Sequence, residues 1–350
     1  MKPLVSILIH NYNYGRYLDQ CLESVFSQSY QNIEVVFADN ASTDLSWEVA
    51  EKYANKYPGK ITMIRQKLNR GPEYNSHTVW QFNQGNYFCL LCSDDALQPG
   101  FIEKTVAALE AHPKASFAMV HRAPMDADGI VSVEAPFYKY SCVIPGKEQA
   151  AVYMMSSCAP CISQMMYRAS AVKANNMGLG AGSLTSRWFG PRILDFNLCL
   201  NGDMIYLSDP LILHRIHSAS DSSHMLETMI EPFGQYLLIH QFAEIAKAHG
   251  GMDNVVNRLP DAIKKLARLC LRYAMGAAIK DDQPSALDYL YLARVINPSI
   301  RDHVIESIFK WAECHESDKK KHIDFILNEY YREVRTSSYD PPKGSLKING

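Results

Sequence analysis

Short apolar runs that end in polar groups recur through the first third of the chain. Val5-Ser-Ile-Leu-Ile9 ends in His10-Asn11-Tyr12-Asn13, and Ile33-Glu-Val-Val-Phe-Ala38 ends in Asp39-Asn40-Ala41-Ser42-Thr43-Asp44. Tyr87-Phe-Cys-Leu-Leu-Cys92 ends in Ser93-Asp94-Asp95. Nearly continuous apolar runs of this length read as strands buried on both faces. Between them the period lengthens. Tyr17, Leu18, Cys21, Leu22, Val25 and Phe26 repeat at helical spacing, and a second helix is expected from Trp47 to Tyr57, stopped by Pro58-Gly59. Ile61–Ile64 reads as a strand, Tyr74–Phe82 as a helix, Phe101–Ala111 as a helix after Pro99-Gly100, and Ser116–Val120 as a strand. Such β/α alternation predicts an α/β fold with a doubly wound, mostly parallel, Rossmann-like sheet.

Past this point the pattern loosens. Ile162–Tyr167 and two short runs, Met204–Leu207 and Leu211–Ile216 around Asp209-Pro210, read as strands, and the Gly- and Ser-rich stretch from Asn175 to Pro191 as a loop. After Ser223 the chain is helical throughout: Met225–Gly250, Asn254–Lys280, Pro284–Ile296, Arg301–His315 and Lys319–Arg335. The expected division is an α/β domain over residues 1–223, an all-α C-terminal domain over 224–335, and a disordered tail over 336–350, where two prolines accompany low hydrophobicity. Ala286 to Pro298 has the small/aromatic spacing of one helical-hairpin repeat. It reads equally as a helix of an ordinary bundle.

Composition narrows the function classes. A net charge of -2 over 350 residues argues against a nucleic-acid partner. No apolar run reaches the roughly 20 residues that span a bilayer, and Met1-Lys2-Pro3 leads directly into a strand without a signal segment. The expectation is a cytoplasmic protein, able to work at the inner face of the membrane. Lys264, Arg268 and Arg272 share one helix face, either as a solvated basic stripe or as a peripheral membrane contact. The helical region is also a candidate surface for a homo-oligomer. Nine cysteines without regular pairing read as reduced thiols. Cys89 and Cys92 point to opposite faces of a strand, and Cys158/Cys161 lacks a second pair at zinc-site spacing.

In an open α/β sheet, ligands sit outside the carboxyl ends of the strands. The polar groups after the three strands would therefore face one cleft, and amides with carboxylates suit a nucleotide held through a divalent cation. The motifs at these ends make a resemblance specific. Pro3-Leu-Val-Ser-Ile-Leu-Ile-His-Asn-Tyr-Asn13, Glu34-Val-Val-Phe-Ala-Asp-Asn-Ala-Ser-Thr-Asp44, Asn69-Arg-Gly71 with Asn75, Leu91-Cys-Ser-Asp-Asp-Ala-Leu-Gln-Pro-Gly100 and Arg215-Ile-His-Ser-Ala-Ser220 resemble, in order, the inverting glycosyltransferase family 2 with its GT-A fold.

That resemblance implies a metal-dependent glycosyltransferase. The enzyme would move a sugar from a nucleotide-sugar donor, UDP- or dTDP-linked, to a hydroxyl of a glycan or lipid-linked glycan, as in surface polysaccharide synthesis. Asp39 would accept a hydrogen bond from the base. His10, Asn11, Tyr12, Asn13, Asn69 and Ser93 would line the nucleotide pocket. Asp94 and Asp95, matching the metal-binding acids of a D-x-D motif, would hold Mn or Mg with His217. Cys92 stands where many members carry the first acid of that motif. For the base, Asp195 in Asp195-Phe-Asn-Leu-Cys-Leu200 is the expected carboxylate if one helical turn has been lost before Gly202. Without that loss, Gly190-Pro191 take the position and leave none. The alternative is a binding or scaffold module that has lost catalysis.

Overall fold

The computed structural model describes residues 2–155, 160–175, 186–220, 225, 228–332 and 337–349. They form two compact units, one of Met1–Ala150, Ala159–Ser220 and Ser337–Gly350, the other of Ala151–Cys158 and Asp221–Thr336.

In the first unit the expected strands form. β1 (Val5–Asn11), β2 (Ile33–Asp39), β3 (Ile61–Arg65) and β4 (Tyr87–Cys92) lie parallel in the order β4-β1-β2-β3. Ile7, Ile9, Val35, Phe37, Cys89 and Leu91 are wholly buried. Register aligns the strand ends: Asn11 lies opposite Asp39, and His10 opposite Cys92. The polar groups that follow therefore emerge along one edge. Helices α1 (Gly15–Phe26), α2 (Ser46–Lys56), α3 (Pro72–Gln81) and α4 (Phe101–Ala111) make the crossovers. α1 buries Tyr17, Leu18, Cys21, Leu22 and Val25, the apolar face its spacing predicted.

The rest of the sheet is mixed. β5 (Ala96–Leu97), β6 (Ala115–Met125), β7 (Cys142–Ile144), β8 (Met165–Arg168), β9 (Asp203–Arg215) and β10 (Leu346–Lys347) complete the order β10-β7-β9-β6-β8-β4-β1-β2-β3, with β5 paired to β9. β8 is antiparallel to both β4 and β6, whereas β6 and β9 run parallel. Three helices belong to this part of the chain: α5 (Gly146–Met154), α6 (Ala169–Ala174) and α7 (Ser186–Asn201).

Some expectations need correction. The two strands around Asp209-Pro210 are one strand, β9, with register shifts against β6 at His121; a proline without an N–H donor is tolerated at such an irregularity. Ile162–Gln164 is a 3₁₀ turn, and the strand begins only at Met165. Of the stretch read as a loop, residues 176–185 lie outside the described residues, and from Ser186 the chain is helix. The terminal segment is ordered where disorder was expected. Leu346 and Lys347 pair with Val143 and Cys142, Tyr339 packs on Phe137, and Lys139 reaches Asp340 at 2.8 Å. A sheet edge supplies backbone partners that a low-hydrophobicity tail cannot make for itself.

The second unit is helical: α8 (Ile230–His249), α9 (Asp253–Val256), α10 (Leu259–Ile279), α11 (Gln283–Ile296), α12 (His303–Glu313) and α13 (Glu316–Arg332). Ala267, Cys270, Leu271, Ala274 and Ala278 of α10 pack with Ala286, Tyr289, Leu290 and Ala293 of α11 and with Trp311. This shared core fits the ordinary-bundle reading of Ala286–Pro298. Asp282 and Asp302 cap α11 and α12 by accepting from Ser285 N and Val304 N. The basic stripe is engaged locally. Lys264 lies 3.3 Å from Asp261, Arg268 3.7 Å from Asp302, and Arg272 sits over the Tyr330 ring.

Two helix starts meet behind the strand ends. Asp44 accepts from Gly15 N (2.8 Å) at the start of α1 through one oxygen, and from Ser46 N (3.0 Å) at the start of α2 through the other. A carboxylate there answers both helix dipoles. A Cβ on Gly15 would stand 2.8 Å from Ser46 N, which is backbone and cannot yield. Gly15→Ala is expected to cost about 1–3 kcal/mol through overpacking. A urea titration should show a lower midpoint with an unchanged slope; an unchanged midpoint would refute the close-approach argument.

Candidate active site

Asn11, Asn13, Asp39 and Ser42 interlock at the ends of β1 and β2. Asp39 Oδ1 accepts from Asn11 Nδ2 (3.0 Å) and Ser42 Oγ (2.5 Å), and Oδ2 accepts from Ser42 N (2.9 Å). Ser42 Oγ in turn accepts from Asn13 N at 2.9 Å, and Asn13 Oδ1 accepts from Thr43 N at 2.8 Å. The two loops are thus zipped together. Asn13 and Ala41 adopt left-handed backbone angles, φ 55 and 62, of which asparagine accepts the first readily and alanine the second only with strain. Asp39 is fully buried and shapes its own loop. Arg65 Nε lies 3.9 Å from Asp39 Oδ2, and its guanidinium lies over the Trp47 ring. Asn40 joins the next loop by donating to Asn69 Oδ1 (2.8 Å) and Gly71 O (3.1 Å), and Asn75 donates to Ala38 O at 2.8 Å. Tyr12 is exposed, whereas Ser93 is buried.

The acids occupy a tight turn between β4 and β5, closed by Asp95 N donating to Cys92 O at 3.1 Å. Because the chain turns here instead of continuing extended, Cys92, Asp94 and Asp95 bring ligand atoms within 4.8 Å of one another. β9 runs antiparallel to β5 and delivers its final residues to the turn. His217 Nε2 lies 3.1 Å from Asp94 Oδ2. Tyr14 meets the His217 ring edge-on at 5.3 Å, and Tyr17 packs beside it at 5.2 Å. Asp95 is more tightly held. Its Oδ1 accepts from Arg215 N (2.8 Å) and lies 3.2 Å from His214 Nδ1, and its Oδ2 accepts from Ser163 Oγ (2.6 Å).

Arg215 anchors the assembly. Its buried guanidinium donates to Asp94 O (2.9 Å), Asp126 O (3.0 Å) and Gln20 Oε1 (2.5 Å), and lies 4.3 Å from the Tyr17 ring centre. Burial raises the Asp94 carboxyl above the usual carboxylate range; the His217 hydrogen bond opposes this, and neighbouring Asp95 adds to it. Burial works against a charged His214, but the Cys161 thiol and the Asp95 carboxylate outweigh it and push His214 up to about 10. Arg215 stood in a recognised motif without a role. Ser163, Cys161 and His214 carried no usable local signal, because their partners lie far off in sequence.

Asp94, Asp95 and His217 therefore come together, as do Asn11, Asn13, Asp39 and Asn69 along the same strand ends. Asp195 makes a contact of its own. Its carboxylate lies buried in α7 and accepts from Tyr167 Oη at 2.7 Å. Tyr167 pairs with Phe88 and Phe117, and Phe88 is four residues before Cys92, roughly 13 Å along a strand. Gly190-Pro191 also lie within α7.

Residues 6–174 match the sequence model of glycosyl transferase family 2, and this segment belongs to that family. Glycosyltransferase GlyG of Streptococcus pneumoniae is 30% identical over 103 residues, 29% of this chain and 34% of that protein. The chain spans only about a third to two fifths of the length of three curated relatives it matches. Over whole chains the fold is that of GT-A enzymes. Residues 1–349 of S. aureus TarS, solved in complex with UDP-GlcNAc, superpose with TM-score 0.55 at 16% identity, covering 99% of both chains. Mannosyltransferase PcManGT from Pyrobaculum calidifontis, in complex with GDP-Man and Mn2+, superposes with TM-score 0.52 at 12% identity, covering 96% of this chain and 89% of that one.

Burial raises Asp195 to about 6, against the lowering effects of Arg192 and the Tyr167 hydrogen bond. An unfolded aspartate titrates near ~3.9. The folded form therefore holds its proton more tightly, so Asp195 favours folding below about pH 4, and that advantage is lost as pH rises through about 6. A shift of about two units corresponds to about 3 kcal/mol at neutral pH. Asp195→Asn keeps an oxygen acceptor for Tyr167 without the charge. Urea titrations of both proteins from pH 4 to 8 should show the variant gaining on wild type as pH rises. A difference independent of pH would refute a buried, ionising Asp195.

Proposed function

We propose that this chain is an inverting glycosyltransferase that moves a sugar from a nucleotide-sugar donor to a hydroxyl of a glycan or lipid-linked glycan. The observation that carries this reading is the shared edge. Asp39 with its amide and hydroxyl partners, and the Asp94–His217 pair, stand at the ends of β2 and β4, the two parallel strands that flank β1, where an open α/β sheet takes its ligand. The UDP-GlcNAc bound by TarS supports a uridine donor, and a UDP- or dTDP-linked sugar offers the imide N–H that Asp39 would accept.

A divalent cation fits the acidic turn. Cys92, Asp94 and Asp95 converge, and the His217 nitrogen stands 3.1 Å from the Asp94 carboxylate. Asp94, Asp95 and His217 would hold Mn or Mg, which when bound offsets the charge of the departing diphosphate. The protein's own residues do the positioning. Arg215 fixes the main chain at Asp94, and the Arg215 N–H and Ser163 hydroxyl orient Asp95. Asn11 and Ser42 hold the Asp39 carboxylate, which would accept from the base. The acceptor proton needs a carboxylate that reaches solvent, and buried Asp195 is better suited to holding α7 against Tyr167.

The rival reading, a GT-A module that binds a nucleotide sugar without turning it over, draws on Cys92 and on the placement of Asp195. Incubation with UDP-, dTDP- and GDP-sugars plus Mn²⁺ separates the two: released nucleoside diphosphate supports the enzyme, and binding without release supports the module. The metal assignment has its own test. Asp94→Asn should weaken Mn²⁺-dependent UDP binding at least tenfold by calorimetry while leaving the melting temperature near that of wild type. Equal Mn²⁺-dependent affinities would remove Asp94 from the site.

A further inference from the structure

Beside the acidic turn, at Asp95, lies a second convergence. Cys161, His214 and Asp95 bring a thiol, an imidazole nitrogen and a carboxylate oxygen within 4.8 Å of one another. We propose that these three residues form a site for a thiophilic divalent cation of the zinc class, sharing the Asp95 carboxylate with the site of the oxygen-preferring cation of the nucleotide. The inference does not rest on the transferase reading.

The donor set is the first argument. Sulfur, nitrogen and one oxygen are the ligands zinc selects, whereas Mg and Mn favour oxygens. The spacing is the second. His214 Nδ1 and Asp95 Oδ1 lie 3.2 Å apart, close to the ~3.3 Å edge of a tetrahedron with bonds of about 2.0–2.1 Å. Three protein ligands leave the fourth position of such a tetrahedron to water.

The surroundings hold each ligand in place, as outer partners do in built metal sites. Asp95 accepts from Arg215 N and Ser163 Oγ. Ser163 Oγ is itself fixed by Cys92 N at 3.0 Å. Cys161 begins the 3₁₀ turn, and its N–H donates to Gln164 Oε1 at 2.8 Å while Gln164 Nε2 donates to Val120 O at 2.6 Å. His214 is set by β9, whose neighbouring Leu213 pairs with Ala96 directly after Asp95. Cys161 and His214 are both partly exposed, which gives a cation a way in. The site would tie the 3₁₀ turn and β9 to the acidic turn through a single ion.

Cobalt reports on this site directly, because a thiolate ligand gives a near-ultraviolet charge-transfer band and tetrahedral geometry gives strong visible bands. The full-length chain, stripped with chelator under reducing conditions, is titrated with Co²⁺, and zinc is then added as competitor. Wild type should develop both sets of bands at one equivalent and lose them to zinc. Cys161→Ser should abolish the charge-transfer band. His214→Gln should weaken binding at least as far as the about 10–100-fold loss typical of outer-partner mutations. Cys92→Ser should keep the band. Absence of the band in wild type would overturn the proposal. So would its survival in Cys161→Ser, or its loss in Cys92→Ser alone, which would move the ion to the Cys92 group. Should Cys161→Ser fail to fold by circular dichroism, the wild-type spectrum and His214→Gln decide. Mn²⁺-dependent UDP binding, measured separately, tells failure of this site from failure of the nucleotide site.

Discussion

A buried guanidinium holds the acidic turn. Arg215 sits at the end of β9, yet its hydrogen bonds reach the carbonyl of Asp94, the carbonyl of Asp126 and the side chain of Gln20 in α1. A planar group with donors in fixed directions can join three separate segments where a lysine would serve one. It places β9 so that His214 and His217 flank the acids, and it fixes the main chain from which Asp94 projects. Burying this charge costs solvation, which the carbonyl acceptors and the Tyr17 ring beneath it offset.

The nucleotide side is built on the same economy of donors and acceptors. Asp44 accepts from the first turns of two helices, and Asp39 accepts from Asn11 and from Ser42 twice. Both carboxylates set loop geometry before any ligand arrives. A loop shaped in advance loses less entropy when it binds, so the base-binding role proposed for Asp39 would coincide with its structural one instead of competing.

Sulfur gives this site its individual character. Cys92 replaces an acid in the motif, and Cys161 approaches from a different part of the chain to stand by Asp95 and His214. Burial raises the Cys92 thiol well above its ordinary range, with Asp95 and Asp94 adding to the effect, so without a cation it is a neutral neighbour of the acids. Asp95 thus sits between an oxygen-rich and a sulfur-bearing environment.

The sequence by itself determined the left half of the sheet and the edge at which ligands are met. Strand identity there follows from apolar runs between helical repeats, and an open sheet takes its ligand at the carboxyl ends of its strands, so Asp39 and Asp94 were legible as facing one cleft. It also determined the helical texture beyond Ser223, since a 3.6-residue repeat survives in any packing. Only the tertiary structure decided the rest. Asp195 carries the local pattern of a base, but α7 turns it onto Tyr167, and no local rule says which helix face meets the sheet. The final residues have too little hydrophobicity to predict order and gain it from the open edge at β7. Cys158/Cys161 lacked a second pair at zinc-site spacing, whereas His214 and Asp95 reach Cys161 through β9 and the β4–β5 turn. Contacts of that kind depend on strand order, which local periodicity does not encode.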